Sequence, residues 1–331
     1  MYHIIVNPAS RSGKGLRIWK EQVEPVLKRE NVPYAVHFSK EKGDVTETVS
    51  RLCSNLVETH ADQLSQPDPG KKTSLTLIIL GGDGTMNEAV QGIPADASVT
   101  LGYIPTGSSN DLARDLKVPR NPAAALELIL NTGRPRPMDL GVLTYPDGES
   151  RRFCVSCGLG YDAAVCEEAQ RSRVKAVLNK LGLGKLTYLG IALKQLFTTK
   201  AVSGRLTLDD GQTIDIGTIL FVTGMNHRFE GGGFMFCPAA DDSDGFLDLC
   251  AAGDLSKLLV LFALPTAFRG KHYRFKGITP YRAEQFILET DAPLWVHTDG
   301  EVSRRADRIT VSCLRHAVRI ITPGVASSEK T

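Results

Sequence analysis

The sequence predicts two domains: an N-terminal α/β domain, with a parallel sheet carrying helices on both faces, and a mostly antiparallel β domain after it. Three observations carry this expectation. Up to residue 135, short apolar strands alternate with helical stretches, the pattern of a parallel sheet sandwiched by helices. The run at 75–80 is apolar throughout, as befits a strand buried on both faces. After Arg134-Pro135-Arg136-Pro137, short alternating strands are separated by turn signals at Asp147-Gly148, Asp209-Asp210-Gly211 and Asp291-Ala292-Pro293. A chain of 331 residues is long enough for two such cores.

Taken in order, residues 2–6 form a strand that ends at Asn7-Pro8. Leu16, Trp19, Val23, Val26 and Leu27 then recur at helical spacing, and Pro25, which lacks an N–H, should kink or shorten that helix. Residues 34–38 form the second strand. Asp44 with Glu47 three residues later reads as a capping box ahead of the stripe Val45, Val49, Leu52 and Leu56. The polar stretch 60–74, with Pro67, Pro69 and Gly70, is a loop, and strands follow at 75–80 and 99–104. Asn121 as N-cap, Pro122 at the first helical position and Gly133 just past the end bracket a helix over 123–130. In the second domain, strands are expected at 139–144, 153–157, 205–208, 214–223, 246–251, 285–288, 294–298, 309–313 and 317–321, with helices near 161–178 and 185–198. The domains therefore run 1–135 and 136–305, a segment of about 306–325 is expected to return to the first, and 324–331 is expected to fray.

Composition bounds the function. Hydrophobic content of 42% and charged content of 23% exclude disordered and fibrous classes. With 39 basic and 37 acidic residues, the net charge of +2 gives no reason to expect nucleic acid as a partner. Seven scattered cysteines do not form a disulfide framework and suggest a reducing compartment. The start has neither the basic nor the apolar region of a signal peptide. The longest apolar run, 258–264, stops at Pro265, short of the roughly 20 residues of a spanning helix. A cytoplasmic protein, at most peripherally associated with the inner face of a membrane, is the expectation.

Ligands of such parallel sheets bind beyond the carboxyl ends of the strands, and three polar loops leave those ends. In the second, Gly81, Gly82, Asp83, Gly84, Thr85, Met86 and Asn87 make a strand-to-helix turn. Its glycines let the backbone approach a bulky anion, and its N–H groups favour negative charge. Asp83 would repel a phosphate unless a cation such as Mg²⁺ lay between them; the plainer alternative is a tight turn with an N-cap. The first loop, Asn7, Pro8, Ala9, Ser10, Arg11, Ser12, Gly13, Lys14 and Gly15, fails as a P-loop. Pro8 replaces its first glycine, and Gly15 stands where a Ser/Thr should bind Mg²⁺. Judged alone it is a basic, hydroxyl-rich turn. The third, Thr106, Gly107, Ser108, Ser109, Asn110 and Asp111, adds hydroxyls and a carboxylate, or is simply an N-cap cluster.

Further along, Asp241-Asp242-Ser243-Asp244-Gly245 lacks the spacing of a Ca²⁺ loop and otherwise reads as a polar turn before Phe246. Asp299-Gly300 is by itself a hairpin turn signal. Cys154-Val155-Ser156-Cys157 is a lone pair of cysteines in a strand-like run and reads as core packing. His227, His272 and His297 lack metal-ligand spacing and read as surface or packing residues. Two stretches hold cations and no acid. One carries Arg171, Arg173, Lys175, Lys180, Lys185, Lys194, Lys200 and Arg205; the other carries Lys257, Arg269, Lys271, Arg274, Lys276 and Arg282. Apolar residues lie between them, so they are either solvated helix faces or an anionic-membrane surface, where each cation is worth about 1 kcal/mol.

The loops together resemble the diacylglycerol-kinase catalytic domain family, which takes in bacterial lipid kinases, sphingosine kinases and ceramide kinases. The matching pieces are Asn7-Pro8 with Ser10 and Gly13, then 81–85 with Asn87-Glu88, then 107–114; 153–165, 237–249 and Asp299-Gly300-Glu301 follow in order. The resemblance implies a nucleotide-binding α/β domain, a C-terminal β-sandwich and an active site in the cleft between them. It places ATP against Asn7, Pro8, Ala9, Ser10, Gly13, Ser39, Gly81, Gly82, Asp83, Gly84, Thr85, Met86, Asn87, Ser108, Asn110 and Asp111. It makes Asp299 the base that takes the proton of an attacking hydroxyl, with Glu301 beside it. It puts a structural Mg²⁺ on the Asp244 side chain and the carbonyls of Asp241 and Phe246. The chain departs from the family pattern in having Ser39 and Ser108 where Thr is usual, a longer first loop and an insertion at 60–73.

The activity so implied is ATP- and Mg²⁺-dependent phosphorylation of a diacylglycerol-like lipid, to a phospholipid such as phosphatidic acid. A lipid and an anionic membrane surface would be the partners, nucleic acid would not, and bacterial members are often homodimers. Two other readings stand beside it: a soluble-substrate kinase of the NAD kinase type, and a catalytically silent nucleotide- or lipid-binding regulator.

Overall fold

The computed structural model describes residues 1–62, 74–171, 184–198 and 202–324. Most of the 60–73 insertion, the basic residues Arg173, Lys175, Lys180 and Lys200, and the tail from 325 lie outside the described residues. Two compact units divide the chain: residues 1–138 with the end of the chain from 316, and residues 139–315.

The first unit is built on β1 (Tyr2–Val6), β2 (Tyr34–Phe38), β3 (Leu75–Gly81) and β4 (Val99–Pro105). Each contact is parallel: β1 lies between β2 and β3, and β3 pairs with β4. Arg319 and Ile320, near the chain end, add a further parallel partner against Thr100 and Leu101 of β4. Leu77, Ile78, Ile79 and Leu80 are fully buried, each contributing about 1.5–3 kcal/mol of hydrophobic stabilisation. Because the strands run the same way, the segments after β1, β2, β3 and β4 all leave from one edge of the sheet. Residues 7, 39, 82 and 106 therefore start on that edge.

Local signals are modified by context. The helix after β1 does not simply kink: it passes through a π-type turn at Trp19–Val23 before Glu24–Arg29, with Pro25 in the first turn of that last piece. The ring supplies no N–H, so the ladder loosens there while Trp19, Val23 and Leu27 stay buried. The capping box at Asp44 does not form. Asp44 is already helical, and its carboxylate turns back to accept the amides of Lys40 and Glu41. Glu88, from another helix, accepts the Gly43 N–H instead. Asn121 caps its helix by accepting from the amides of Ala123 and Ala124. Gly133 does not adopt a left-handed terminating conformation; at φ −76° and ψ 164° it leads straight into the next strand.

The second unit is antiparallel. Its strands are β5 (Gly133–Thr144, which begins in the first unit), β6 (Ser150–Phe153), β7 (Ser156–Gly160), β8 (Val202–Leu208), β9 (Thr213–Met225), β10 (Leu247–Gly253), β11 (Ile278–Ala283), β12 (Gln285–Thr298) and β13 (Glu301–Pro323). β9 and β12 are long enough to pair twice, with β7 along one part and β8 along another. Phe153, Leu159, Leu206, Phe286, Leu288 and Val296 form the core between them.

Two expectations are corrected here. The strand at 153–157 is broken at Cys154-Val155 into β6 and β7. The turn at Asp291-Ala292-Pro293 is a register shift inside one continuous strand, β12, so Pro293 sits at an irregularity where a ladder bond is not needed. The apolar run at 258–264 belongs to a helix, Lys257–Ala267, that the sequence pattern does not predict and that contains Pro265. The described helices of the other region are Tyr161–Arg171 and Gly184–Thr198. No helix among the described residues is long and apolar enough to cross a membrane.

Candidate active site

In the first unit the three loops interlock through short polar side chains. Asn7 accepts the amide of Ala9 on Oδ1 at 3.0 Å, and its Nδ2 donates to Thr85 Oγ1 at 3.0 Å, tying the first loop to the second. Ser10 and Thr106 share a hydroxyl hydrogen bond of 2.8 Å, tying the first to the third. Asp83 closes the set: its Oδ2 accepts the Asp111 amide at 3.2 Å, and Tyr103 donates to Oδ1 at 3.4 Å. Asp111 in turn pairs with Arg114. Thr85, Asn87, Asn110 and Asp111 are buried, and Asn110 folds its side chain back onto both the N–H and the carbonyl of Gly107.

The glycines are required by distance rather than by turn type alone. A Cβ at Gly107 would lie 2.7 Å from Gly82 Cα and 2.7 Å from Asn110 Oδ1, so two bare backbones touch where the second and third loops meet. Gly82 precedes the helix Asp83–Gln91. A main chain free of side chains beside a helix start leaves room for a large anion to approach. Ser39 follows β2 and donates its amide to Val6, which keeps it beside the first loop. Ser108 is exposed, Pro8 is half-buried, and Ala9 and Gly13 are exposed.

In the second unit Asp299 and Gly300 form a two-residue hairpin turn between β12 and β13. Both have positive φ, 51° and 78°, and Thr298 pairs with Glu301 across the turn. Hairpin signal and candidate catalytic carboxylate thus coincide in the same residue. The carboxylate reaches the break between β6 and β7. There Oδ1 accepts the amides of Val155 at 2.7 Å and Ser156 at 3.0 Å, and Oδ2 accepts that of Cys154 at 2.9 Å. Three of the roughly four lone-pair positions of a carboxylate are so engaged. This explains why residues 153–157 are not one strand: Cys154 and Val155 turn their amides to Asp299 instead of a neighbouring strand. Buried Asn226 supports the bend, donating to the carbonyls of Cys154 and Asp139. Cys154 and Cys157 are buried and outside any disulfide, and burial pushes the Cys157 thiol pKa well above its ordinary value.

The turn at 241–246 lies in the same unit. Asp244 pairs with Arg282 and accepts the Phe246 amide, while Asp241 accepts from the Ser243 amide and hydroxyl. Asp139, fully buried, accepts the Gly245 amide at 2.7 Å. Asp248, two residues on, has a buried Oδ2 without a hydrogen-bond partner. Burial raises its pKa to about 6, Arg282 opposes this, and Asp244 and Asp241 add to it. Asp248 Oδ2 is thus an unsatisfied buried acceptor near the turn, while the described carboxylate and imidazole ligand atoms that lie within 4.8 Å of one another are those of Asp162, Glu230 and His297.

His297 is not a packing residue of the ordinary kind. It is fully buried, with Nε2 3.1 Å from Asp162 Oδ2 and 3.3 Å from Glu230 Oε1. Spacing along the chain could not show this, because the partners lie far from it in sequence. The same holds for Thr106, Asp139, Asn226 and Asp248, whose residue types are ordinary until the fold gathers them. Charge counting also misses pairs between stretches: Arg171 and Lys194 of the acid-free stretch pair with Glu167 and Glu168.

Comparison with known proteins agrees with this architecture. Residues 1–143 match the diacylglycerol kinase catalytic domain, and residues 155–322 match the YegS C-terminal NAD kinase beta sandwich-like domain. A diacylglycerol kinase of Mycobacterium tuberculosis is 32% identical over 68% of this chain and 70% of that one. A diacylglycerol kinase of Bacillus subtilis is 26% identical over 97% and 95%. A solved diacylglycerol kinase structure from Bacillus anthracis shares the fold, with a TM-score of 0.67 at 22% identity over 97% and 96%. The two-unit architecture is that of the NAD kinase-like superfamily, with a C-terminal β-sandwich. The chain belongs to the diacylglycerol kinase family of lipid kinases, and is a phosphotransferase of that family.

Proposed function

We propose that this protein transfers the γ-phosphoryl group of ATP to the hydroxyl of diacylglycerol or a close relative, giving phosphatidic acid or its analogue. The observation that carries this reading is the glycine-to-glycine contact of Gly82 and Gly107 beside a helix start, with the carboxylates of Asp83 and Asp111 held around it. A bare main chain binds phosphate oxygens; adjacent carboxylates need a cation to do so with it, and Mg²⁺ supplies that charge. Asn7, Ser10 and Ser39 border the same edge.

The lipid hydroxyl attacks the γ-phosphorus, the bond to the bridging oxygen breaks, ADP leaves, and the hydroxyl proton passes to the Asp299 carboxylate. The three amides fix that carboxylate, so its position costs no reorganisation during transfer. Glu301 starts the strand on the far side of the turn. A second Mg²⁺ would sit on the Asp244 side chain with the carbonyls of Asp241 and Phe246, and its role there is to hold the turn.

A membrane surface as the source of lipid is supported by the placement of exposed hydrophobics. In the second unit, the described ones are Leu193, Phe197, Leu258, Phe262 and Phe268, all on the helix Gly184–Thr198, on the helix Lys257–Ala267 or just after it. Lys257 joins the two helices by donating to the Phe197 carbonyl at 2.8 Å. Arg269 and Lys271 follow within the same stretch.

The test is transfer of labelled γ-phosphate from ATP to vesicles of anionic phospholipid with and without diacylglycerol. Label in phosphatidic acid that requires both diacylglycerol and Mg²⁺ is the expected result. Label only in a soluble acceptor such as NAD would favour the NAD kinase-like reading, and ATP binding without any turnover would favour the regulator.

A further inference from the structure

His297 precedes Asp299 by two residues and meets the turn from beneath. Gly300 donates its N–H to His297 Nδ1 at 3.1 Å. A ring nitrogen that accepts an amide N–H carries no proton, so the proton of the neutral ring is on Nε2, directed at Asp162 and Glu230. The pocket is shaped for this contact: a Cβ on Gly158 would stand 2.0 Å from Asp162 Oδ2 and 2.5 Å from His297 Nε2. Asp162 is fixed in turn by the Ala163 amide, and Glu230 Oε2 lies 3.4 Å from the Thr223 hydroxyl.

These three side chains could also surround a metal, since their ligand atoms lie within 4.8 Å of one another. The Gly300 contact argues against it. A histidine bound to metal through Nε2 is protonated on Nδ1 and donates there to an acceptor, whereas here Nδ1 faces a donor.

We propose that His297 is a positioning residue for the transfer reaction: its neutral ring, held by Asp162 and Glu230, locks the Asp299–Gly300 turn through Nδ1 and so aims the Asp299 carboxylate. Protonating the ring would set a second N–H against that of Gly300, which a two-residue turn cannot rotate away, and the lock would open. The charged groups around the ring are Glu230 from the loop after β9, Asp162 from the helix Tyr161–Arg171, and Asp299 from its own turn; the Cys157 thiol of β7 is neutral. Burial lowers the ring pKa, but Glu230 and Asp162 outweigh it and raise it to about 9. Turnover is therefore expected to rise as pH passes through about 9, where the ring loses its proton and the lock closes.

This inference rests on the proposed lipid kinase reaction for its kinetic readout, and the test separates the two. His297→Leu removes both hydrogen bonds. It is expected to lower kcat about 10- to 100-fold, the scale of a misplacement of about 1 Å, with the KM for ATP unchanged. His297→Gln can accept from Gly300 and donate to the acids; it should recover most of kcat and lose the rise with pH. Wild-type kcat in folded His297→Leu, or an unaltered pH profile in His297→Gln, would overturn the role. If His297→Leu fails to fold, the pH profile of His297→Gln decides alone. Imidazole ¹⁵N NMR of the full chain, with His297→Gln to assign the signal, needs no activity. A Nδ1–H tautomer for neutral His297 would overturn the inference, while absence of lipid phosphorylation by a wild type with the Nε2–H tautomer would overturn only the proposed reaction.

Discussion

The loops of the first unit and the Asp299 turn of the second use main-chain N–H groups in opposite ways. Around Gly82 and Gly107 the backbone is stripped of side chains and brought together beside a helix start, an arrangement that leaves room for something large and negative. Around Asp299 the amides of Cys154, Val155 and Ser156 are spent on the protein's own carboxylate. One region is proposed to receive an anion and the other already contains one. A third arrangement, at Asp248, has a carboxylate oxygen buried with no partner at all. The difference separates a bare main chain, an internally completed acid and an acid left with an unsatisfied oxygen.

The largest expected effect breaks the comparison at Asp299. Asp299→Asn removes the proton acceptor and should cut kcat by on the order of 10³-fold, within the range for a general base. The structure adds a cost that the sequence does not suggest. The new NH₂ must face an amide N–H, so stability should also fall by about 1–3 kcal/mol, seen as a lower Tm. Wild-type turnover in the folded variant would remove Asp299 from the chemistry.

At the ligand site, Gly107→Ala forces a Cβ against Gly82 and Asn110. Overpacking of about 1–3 kcal/mol should appear mainly as roughly a 10- to 100-fold higher Kd for ATP by calorimetry. An unchanged Kd would mean that the close approach does not form the nucleotide site. Phe262→Ser touches neither region. With about 1.5–3 kcal/mol of apolar insertion lost, binding to anionic vesicles should weaken about tenfold or more, while transfer to a detergent-dispersed short-chain lipid is unchanged. Equal sedimentation of variant and wild type would place lipid docking elsewhere.

The smallest effect sharpens the contrast between completed and uncompleted acids. Asp248→Asn relieves a buried charge and should raise Tm by a few degrees in EDTA, while shrinking the stabilisation that Mg²⁺ provides to the wild type. An Asp299→Asn melt should move the other way in EDTA. If both variants melt lower, Asp248 is satisfied without a cation.

Local pattern reaches different depths in the two units. β1 and β2 run over the residues their apolar composition marks, and β3 and β4 extend one residue further, to Gly81 and Pro105. The central strands β3 and β4, largely buried, have little freedom to do otherwise. The loops after them carry their chemistry in contiguous residues, and so does the Asp299-Gly300 turn. Legibility fails where one segment's hydrogen bonds are decided by another. Cys154-Val155 reads as strand and bends toward a carboxylate 144 to 145 residues away. Asp44 reads as a cap, yet Glu88 serves Gly43. Arg171 and Lys194 read as part of a uniformly cationic face until Glu167 and Glu168 pair with them.

By itself the sequence determined two kinds of sheet, three glycine- and hydroxyl-rich loops at strand ends, and an Asp-Gly turn, because periodicity and turn chemistry act over a few residues. Only the tertiary structure decided which donors each carboxylate meets: three amides for Asp299, a buried imidazole for Asp162 and Glu230, none for Asp248 Oδ2. Solvation and hydrogen bonding act through space, and their outcome depends on neighbours that the order of residues along the chain does not name.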